Sequence, residues 1–176
     1  MSIKLLVIFT TVLSVSISPS IAEQVIISKP AVQETNKANV IAFLDAKTIK
    51  QQAKRDKLKR VVNYLTTRVH KTAYVFSGST ISGWDCSGMV RYAYKRMNID
   101  LPHSANKQGH VGTRVSKPRI GDIVVFAYKG STSFYHSAIY VGEGLIVHAN
   151  LLYKTTVIQP LSDFKNSQIR FVRVIK

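Results

Sequence analysis

The chain contains one cysteine, Cys86, and five histidines, so a nucleophilic thiol and a base that could activate it are both available. Cysteine catalysis needs a thiolate, a base that removes the thiol proton, and a group that orients the base. Asp85 is a suitable helix N-cap, which would place Cys86 in the first turn of a helix. The exposed amides there favour negative charge, so we expect a lowered thiol pKa and a site for an oxyanion.

The base is predicted to come from a β-hairpin. Two β-rich runs, residues 137–141 and 145–149, flank a Gly-Glu-Gly segment at 142–144 that is typical of a hairpin turn. If this loop has three residues, or is centred on its first glycine, the numbers of paired residues sum to an even value. His136 and His148 then project from the same face of adjacent strands. One ring can therefore act on the thiol, while the other fixes the tautomer of the first ring.

Ala138 and Ile146 share the face of the two histidines, so we expect that face to pack against the helix that carries Cys86. A slip of one residue in the hairpin would put the histidines on opposite faces. A zinc site could use the same cysteine and histidines, although the chain has no short-range ligand pair such as C-x-x-C. The remaining histidines, His70, His103 and His110, receive no catalytic role.

The elements that must position these side chains follow from hydrophobic periodicity. A basic amphipathic helix is predicted over residues 40–69 and a second helix from Asp85 or Cys86 to about residue 97. The apolar face of the first helix consists of Leu58, Val61, Val62, Leu65 and Val69. Residues 74–84 are predicted to form a loop and residues 104–108 a short helical turn. Strands are predicted at 123–127, 137–141, 145–149, 155–158 and 169–175. Helices followed by an antiparallel meander indicate an α+β domain.

The 176 residues, 45% of them apolar, are enough for one domain of ordinary size with a core. An apolar run after Lys4 precedes Ser20-Ile21-Ala22, which is typical of a signal peptide cleaved after Ala22. We predict a signal peptide at 1–22, a linker or N-terminal arm at 23–39, and a catalytic domain at 40–176 that includes the basic helix. The expected location is the periplasm or the cell exterior; an uncleaved membrane anchor is the alternative.

The formal net charge of +16 favours binding to polyanions. For an exported protein we expect anionic envelope polymers rather than nucleic acid as partners, and we expect a monomer. The alternative is that the excess lysine serves only to keep the protein soluble.

The sequence between residues 74 and 150, nearly half of the chain, resembles the NlpC/P60 family of cell-wall cysteine peptidases. The segments that carry the resemblance are YVFSG at 74–78, GWDCSGMV at 83–90, LP at 101–102, Gln108, GDIVVF at 121–126, HSAIYVG at 136–142 and VHA at 147–149. Their order and spacing agree with the family throughout. The resemblance implies a papain-like α+β fold with the nucleophile helix packed on an antiparallel sheet, and no metal or organic cofactor.

The resemblance also implies residue roles: Cys86 attacks, His136 is the base, and His148 orients it. Tyr74 matches a tyrosine near the nucleophile that contacts the thiol or the substrate, and two further positions flank the nucleophile and help to bind the substrate. These two positions are Asp85 and Ser87. Family members typically hydrolyse amide bonds next to D-glutamyl residues in peptidoglycan stem peptides, so a secreted endopeptidase of this kind is expected. An amidase or acyltransferase of the same superfamily, and a non-catalytic basic binder of envelope polyanions, are the alternatives.

The chain departs from the family pattern at three positions. Ser77 replaces the first glycine of a pair, His103 a frequent arginine, and Ala138 a frequent glycine. The first and third are exchanges between small residues, whereas His103 is expected to alter recognition of a substrate carboxylate.

Overall fold

The computed structural model describes residues 31–176, with side chains from residue 36. The elements are α1 (Ala31–Thr66), β1 (Ser79–Thr80), β2 (Gly83–Trp84), α2 (Cys86–Lys95), α3 (Ala105–Gln108), β3 (Thr113–Val115), β4 (Ile123–Tyr128), β5 (Phe134–Gly142), β6 (Leu145–Asn150), β7 (Thr155–Pro160), a 3₁₀ turn (Leu161–Phe164) and β8 (Ser167–Arg173). The chain divides at residue 43/44, and the structure below concerns the unit Leu44–Lys176. The predicted signal peptide lies outside the described residues.

Helix α1 begins nine residues before the predicted start at residue 40, within the segment predicted as a linker or arm. The predicted apolar face is confirmed, since Leu58, Val61, Val62 and Leu65 are all buried. Val69 lies in the turn after the helix and is partly buried against the same core. In the part of the chain that the structure describes, no helix is long and apolar enough to cross a membrane.

The six-stranded sheet has the order β3-β8-β4-β5-β6-β7, with antiparallel neighbours throughout. The α+β class is therefore confirmed, and β4 to β7 form the predicted meander. The meander prediction is wrong for the last strand, because β8 returns to pair with β4 instead of extending from β7. A partly buried ion pair joins these strands: Arg173 Nη2 on β8 lies 2.7 Å from Asp122 Oδ2, just before β4. Alternation of residue types predicts a strand but not its partner.

Helix α2 packs on one face of this sheet. Its buried apolar side chains, Met89, Val90, Ala93 and Tyr94, share a core with α1, with the odd-numbered apolar residues of β4, β5 and β6, and with Phe134 on β5. Ala138 and Ile146 belong to a separate cluster on the other face, with Val124, Phe126 and Phe164. The expectation that the histidine face packs against α2 is therefore wrong. Helix α2 covers the apolar residues that alternate with the histidines along the strands, and these point to the opposite face of the sheet.

Candidate active site

Cys86 is the first residue of α2, and Asp85 is its N-cap, as predicted. Asp85 Oδ1 accepts a hydrogen bond from the Gly88 amide at 2.7 Å, while Oδ2 accepts one from the Ser77 amide at 3.0 Å. The carboxylate therefore fastens the start of α2 to the loop before it. This fixes the thiol at the helix terminus, where it remains partly exposed.

Away from the turn, the hairpin has the register predicted for a three-residue loop, whereas at the turn itself Gly142 pairs with Leu145, so that the loop contains only residues 143–144. Ile139 pairs with Val147 and Tyr140 with Ile146, with a bulge before Gly142. The paired numbers sum to an even value, so that His136 and His148 share a face. His136 Nε2 lies 2.8 Å from His148 Nδ1, with the two rings nearly perpendicular. The prediction that the histidines stand side by side is confirmed.

The pairing of β5 with β6 stops at Ile139, so the first half of β5 separates from the end of β6. A cavity of about 270 Å³ opens here, and Cys86, His136 and His148 all line it. The thiol and the two histidines thus line one cavity where the strands part, although α2 packs on the opposite face of the sheet.

Burial dominates the electrostatics of this cavity. It raises the pKa of the Cys86 thiol, against hydrogen bonds from Ser137 and Ser87 that lower it. The expectation of a lowered thiol pKa is therefore wrong, because desolvation outweighs the helix terminus. Burial also lowers the pKa of His136, which the neighbouring ring of His148 depresses further. Burial lowers the pKa of His148 as well, so thiol and imidazoles rest uncharged at neutral pH.

Tyr74 also lines the cavity, whereas Asp85 and Ser87 do not. Burial raises the pKa of the Tyr74 hydroxyl, and the nearby Cys86 and Asp85 raise it further. Ser87 is buried and its hydroxyl donates to Asp85 Oδ1 at 3.0 Å. The roles assigned to these residues by the resemblance stay predictions.

His103, which stands where the family often has arginine, contacts the N-cap. Its Nε2 lies 2.9 Å from Asp85 Oδ1. An added side-chain carbon on Gly88 would also approach His103 Nε2, at 2.9 Å. His103 thus packs against the first turn of α2 and lies outside the cavity lining.

Several residues of the site were missed in the sequence. The rest of the cavity lining comprises Tyr135, Ala149, Asn150, Leu151, Leu152 and Phe164. Phe126 and Phe164 flank the His136 ring, with ring centres at 5.5 Å and 6.4 Å. His148 Nε2 lies 2.9 Å from Gln159 Oε1. The alternation along β7 could have placed Gln159 on the histidine face, but nothing local shows that this strand lies beside β6. In the described residues, no group of three His, Cys, Asp or Glu could hold a metal ion.

The sequence model of the NlpC/P60 family matches residues 71–174. The chain belongs to the NlpC/P60 family. This is a family of cell-wall peptidases, and the match includes every strand of the main sheet together with the cavity described above.

This NlpC/P60 domain is similar to a gamma-D-glutamyl-L-lysine dipeptidyl-peptidase of Bacillus cereus, with 33% identity over 51% of this chain and 28% of the relative. Among solved structures, it is similar to the NlpC/p60 domain of the peptidoglycan hydrolase SagA, with a TM-score of 0.56, 28% identity and coverage of 64% of this chain and 96% of the other. The fold is also that of RipD of Mycobacterium tuberculosis, a non-catalytic NlpC/p60 domain protein, with a TM-score of 0.56, 22% identity and coverage of 66% and 97%. The alignment with the B. cereus relative thus spans just over a quarter of that relative's length.

Proposed function

We propose that this domain is a cysteine endopeptidase that hydrolyses amide bonds next to D-glutamyl residues in peptidoglycan stem peptides. Cys86 is the nucleophile, His136 the base and His148 the group that orients the base. The observation that carries the proposal is that these three side chains line one cavity, with the two imidazoles hydrogen-bonded at 2.8 Å. The B. cereus relative, whose name specifies a γ-D-glutamyl bond, supports the choice of substrate.

The uncharged resting state determines how the reaction starts. As the Cys86 sulfur attacks the substrate carbonyl, the thiol proton moves to His136, and the tetrahedral intermediate carries the negative charge on oxygen. The backbone amides at the start of α2 are placed to stabilise that oxyanion; the Gly88 amide is already bonded to Asp85. The imidazolium then gives the proton to the leaving amine, which departs and leaves a thioester on Cys86.

Deacylation uses the same base in reverse. His136 removes a proton from water while the water oxygen attacks the thioester carbonyl. Collapse of this intermediate breaks the carbon–sulfur bond, releases the carboxylic acid and returns the proton from His136 to the Cys86 sulfur. One amide and one water thus give one amine and one acid.

Residues 1–22 are the signal peptide for export, residues 23–39 a linker or N-terminal arm, and residues 40–176 the catalytic domain. The exported enzyme acts at the cell wall and is active as a monomer. Family membership supports the envelope location, and the leader pattern in the sequence supports the export step. Tyr74 contacts the thiol or the substrate from the cavity wall, and Asp85 and Ser87 support substrate binding from the N-cap.

The test is digestion of chemically defined stem peptides by the full chain, followed by mass spectrometry. Cys86→Ala and His136→Ala should each lower kcat/KM by at least about 10³-fold, because each removes a group that takes part in bond making. His110→Ala is the matched control, since His110 is exposed and outside the cavity. Cleavage by Cys86→Ala at the wild-type rate would refute the proposal, and a released sugar-lactyl amide product would favour the amidase. Wall binding without cleavage by the wild type would favour the non-catalytic binder.

A further inference from the structure

Gln159, on β7, contacts the residue that orients the proposed base. His148 pairs with Val157 and Ile146 pairs with Gln159, so that His148 and Gln159 are diagonal neighbours on one face of the sheet. Gln159 Oε1 lies 2.9 Å from His148 Nε2. Gln159 is not among the residues that line the cavity of Cys86, so it acts on a reaction there through its two neighbours that do line it, His148 and Asn150.

The orientation of the Gln159 amide is fixed from two sides. Asn150 Oδ1 accepts hydrogen bonds from the backbone amides of Leu152 and Tyr153 at 2.8 Å and 3.2 Å. Backbone amides only donate, so Asn150 must turn its NH₂ group to Gln159 Oε1, at 3.0 Å. On the other side, Gln159 Nε2 donates to the Asp163 carboxylate at 3.2 Å. Both contacts require the Gln159 oxygen, and not its nitrogen, to face His148.

This orientation selects a tautomer for each histidine. Because Gln159 Oε1 only accepts, His148 must carry its proton on Nε2, which leaves His148 Nδ1 as an acceptor. His136 must then donate from Nε2 across the 2.8 Å contact, so its own Nδ1 holds a free lone pair. That lone pair is what a base needs in order to take the thiol proton.

We propose that Gln159 is a positioning residue that sets the tautomer of His136 through His148, with Asn150 and Asp163 holding its amide in place. The inference rests on the proposed function, in which His136 is the base. The reversed tautomer would put a proton on His136 Nδ1 and remove the base. A Gln159 amide turned by 180° would have the same effect, because it would present its NH₂ group to His148 Nε2.

The tautomers of the two histidines are set by these polar contacts and not by the other groups that surround the rings. Phe164 lies under both rings, with its centre 5.8 Å from that of His148. The ionisable groups around the histidine pair are the Cys86 thiol and the Tyr74 and Tyr135 hydroxyls in the cavity, the Asp85 carboxylate at the start of α2, and the Asp163 carboxylate behind Gln159.

The first test removes the acceptor with little change in size. Gln159→Met should lower kcat by about 10- to 100-fold with KM within twofold, as expected for loss of a partner that orients a reacting side chain. Gln168→Met is the matched control, because Gln168 is an exposed residue on β8. Substrate should be a soluble stem peptide, so that wall binding does not affect the rates.

The second test restores a hydrogen-bond acceptor at position 159 in the form of a charged carboxylate. Gln159→Glu accepts from His148 Nε2 and should recover most of the lost kcat at alkaline pH. A carboxylate at this position also raises the pKa of His148. A protonated His148 would donate from Nδ1, so that His136 would have to accept at Nε2 and carry its own proton on Nδ1. The acid limb of the pH–rate profile should therefore move up by about 1–3 pH units, a response that a merely structural role would not give.

Nitrogen NMR of the full chain reads the tautomers directly and does not depend on activity. In the wild type both rings should show protonated Nε2 and unprotonated Nδ1, and Gln159→Met should show a mixture. The inference is overturned if the wild type carries a proton on His136 Nδ1. It is also overturned if Gln159→Met keeps both tautomers and kcat, or if Gln159→Glu is as slow as Gln159→Met at every pH. Full activity of Cys86→Ala would instead refute the proposed function while the NMR result stood.

Discussion

The ionisation of Cys86 decides how the candidate site is activated. A thiol at a helix N-terminus commonly has a lowered pKa, but here burial raises the pKa of Cys86 and lowers that of His136. Both shifts favour the uncharged pair over a thiolate–imidazolium pair. In the proposed mechanism the proton is therefore transferred to His136 during attack, which requires a lone pair on the Nδ1 atom of His136.

The reaction of Cys86 with iodoacetamide should follow this ionisation. Because the thiol pKa is raised, the thiolate fraction is small at neutral pH, and the alkylation rate should climb with pH to beyond pH 9. The check is the rate from pH 5 to 10, followed by mass spectrometry on the full chain, which has no other cysteine. A rate plateau between about pH 5 and 8 that disappears in His136→Ala would show an ion pair and contradict this prediction.

Ser77 adopts a left-handed backbone conformation, with φ of +57°. The family usually has glycine here, and a side chain at such a φ is strained. Ser77→Gly should therefore raise the free energy of unfolding by about 0.5–1 kcal/mol, measured by urea unfolding with the fluorescence of Trp84. Ser77→Ala keeps the Cβ atom and should give no such gain; equal stabilisation by both variants would contradict the strain argument.

At the scale of elements, the start of α2 must lie very close to the loop that carries Tyr74. A side-chain carbon added to Gly88 would collide with the carbonyl oxygen of Gly78, which accepts the Asp85 amide at 3.0 Å. This close approach holds the tyrosine loop against the helix terminus beside Cys86. Packing between these two elements thus leaves no room for a side chain at Gly88, two residues after Cys86.

Gly88→Ala should destabilise the domain by about 1–3 kcal/mol, because the new methyl group must displace backbone. In an open helix the same change stabilises by about 1 kcal/mol, so the sign of the effect identifies the contact. Urea unfolding gives the stability, and the rate on a soluble peptide reports the displacement of the loop. A variant more stable than the wild type would show that the loop is not held in this way.

At the scale of the whole molecule, the charge is concentrated on the second half of α1. Between residues 47 and 60 the chain has seven Lys or Arg and one Asp. The basic side chains Lys54, Lys57 and Lys59 are exposed. A cationic surface of this kind attracts anionic polymers, with a strength that falls as salt is added.

Lys54→Gln, Lys57→Gln and Lys59→Gln, combined in one variant, should weaken binding to purified cell wall and flatten its salt dependence. Cleavage of a soluble stem peptide should be unchanged, since α1 is not part of the cavity. The matched control neutralises Lys95, Lys107 and Lys129, which are exposed elsewhere. Unchanged wall binding at every salt concentration, or equal loss in the control, would rule out α1 as the binding surface.

The sequence by itself determined the local features: the capped helix that begins at Cys86, the apolar face of α1, the strands β4 to β8, and the hairpin that puts His136 and His148 on one face. Each depends on interactions within a few residues, such as a cap, a period or a turn, and these can be read along the chain. The short strands β1, β2 and β3 were missed because two or three residues carry no period.

Only the tertiary structure decided which elements meet. It placed β8 beside β4, turned the histidine face away from the α2 core, opened the cavity where β5 leaves β6, and set Gln159 behind His148. It also reversed the expected shift of the Cys86 pKa. Strand partners and burial depend on packing between distant parts of the chain, and the cost of desolvating a charge is unknown until those parts come together.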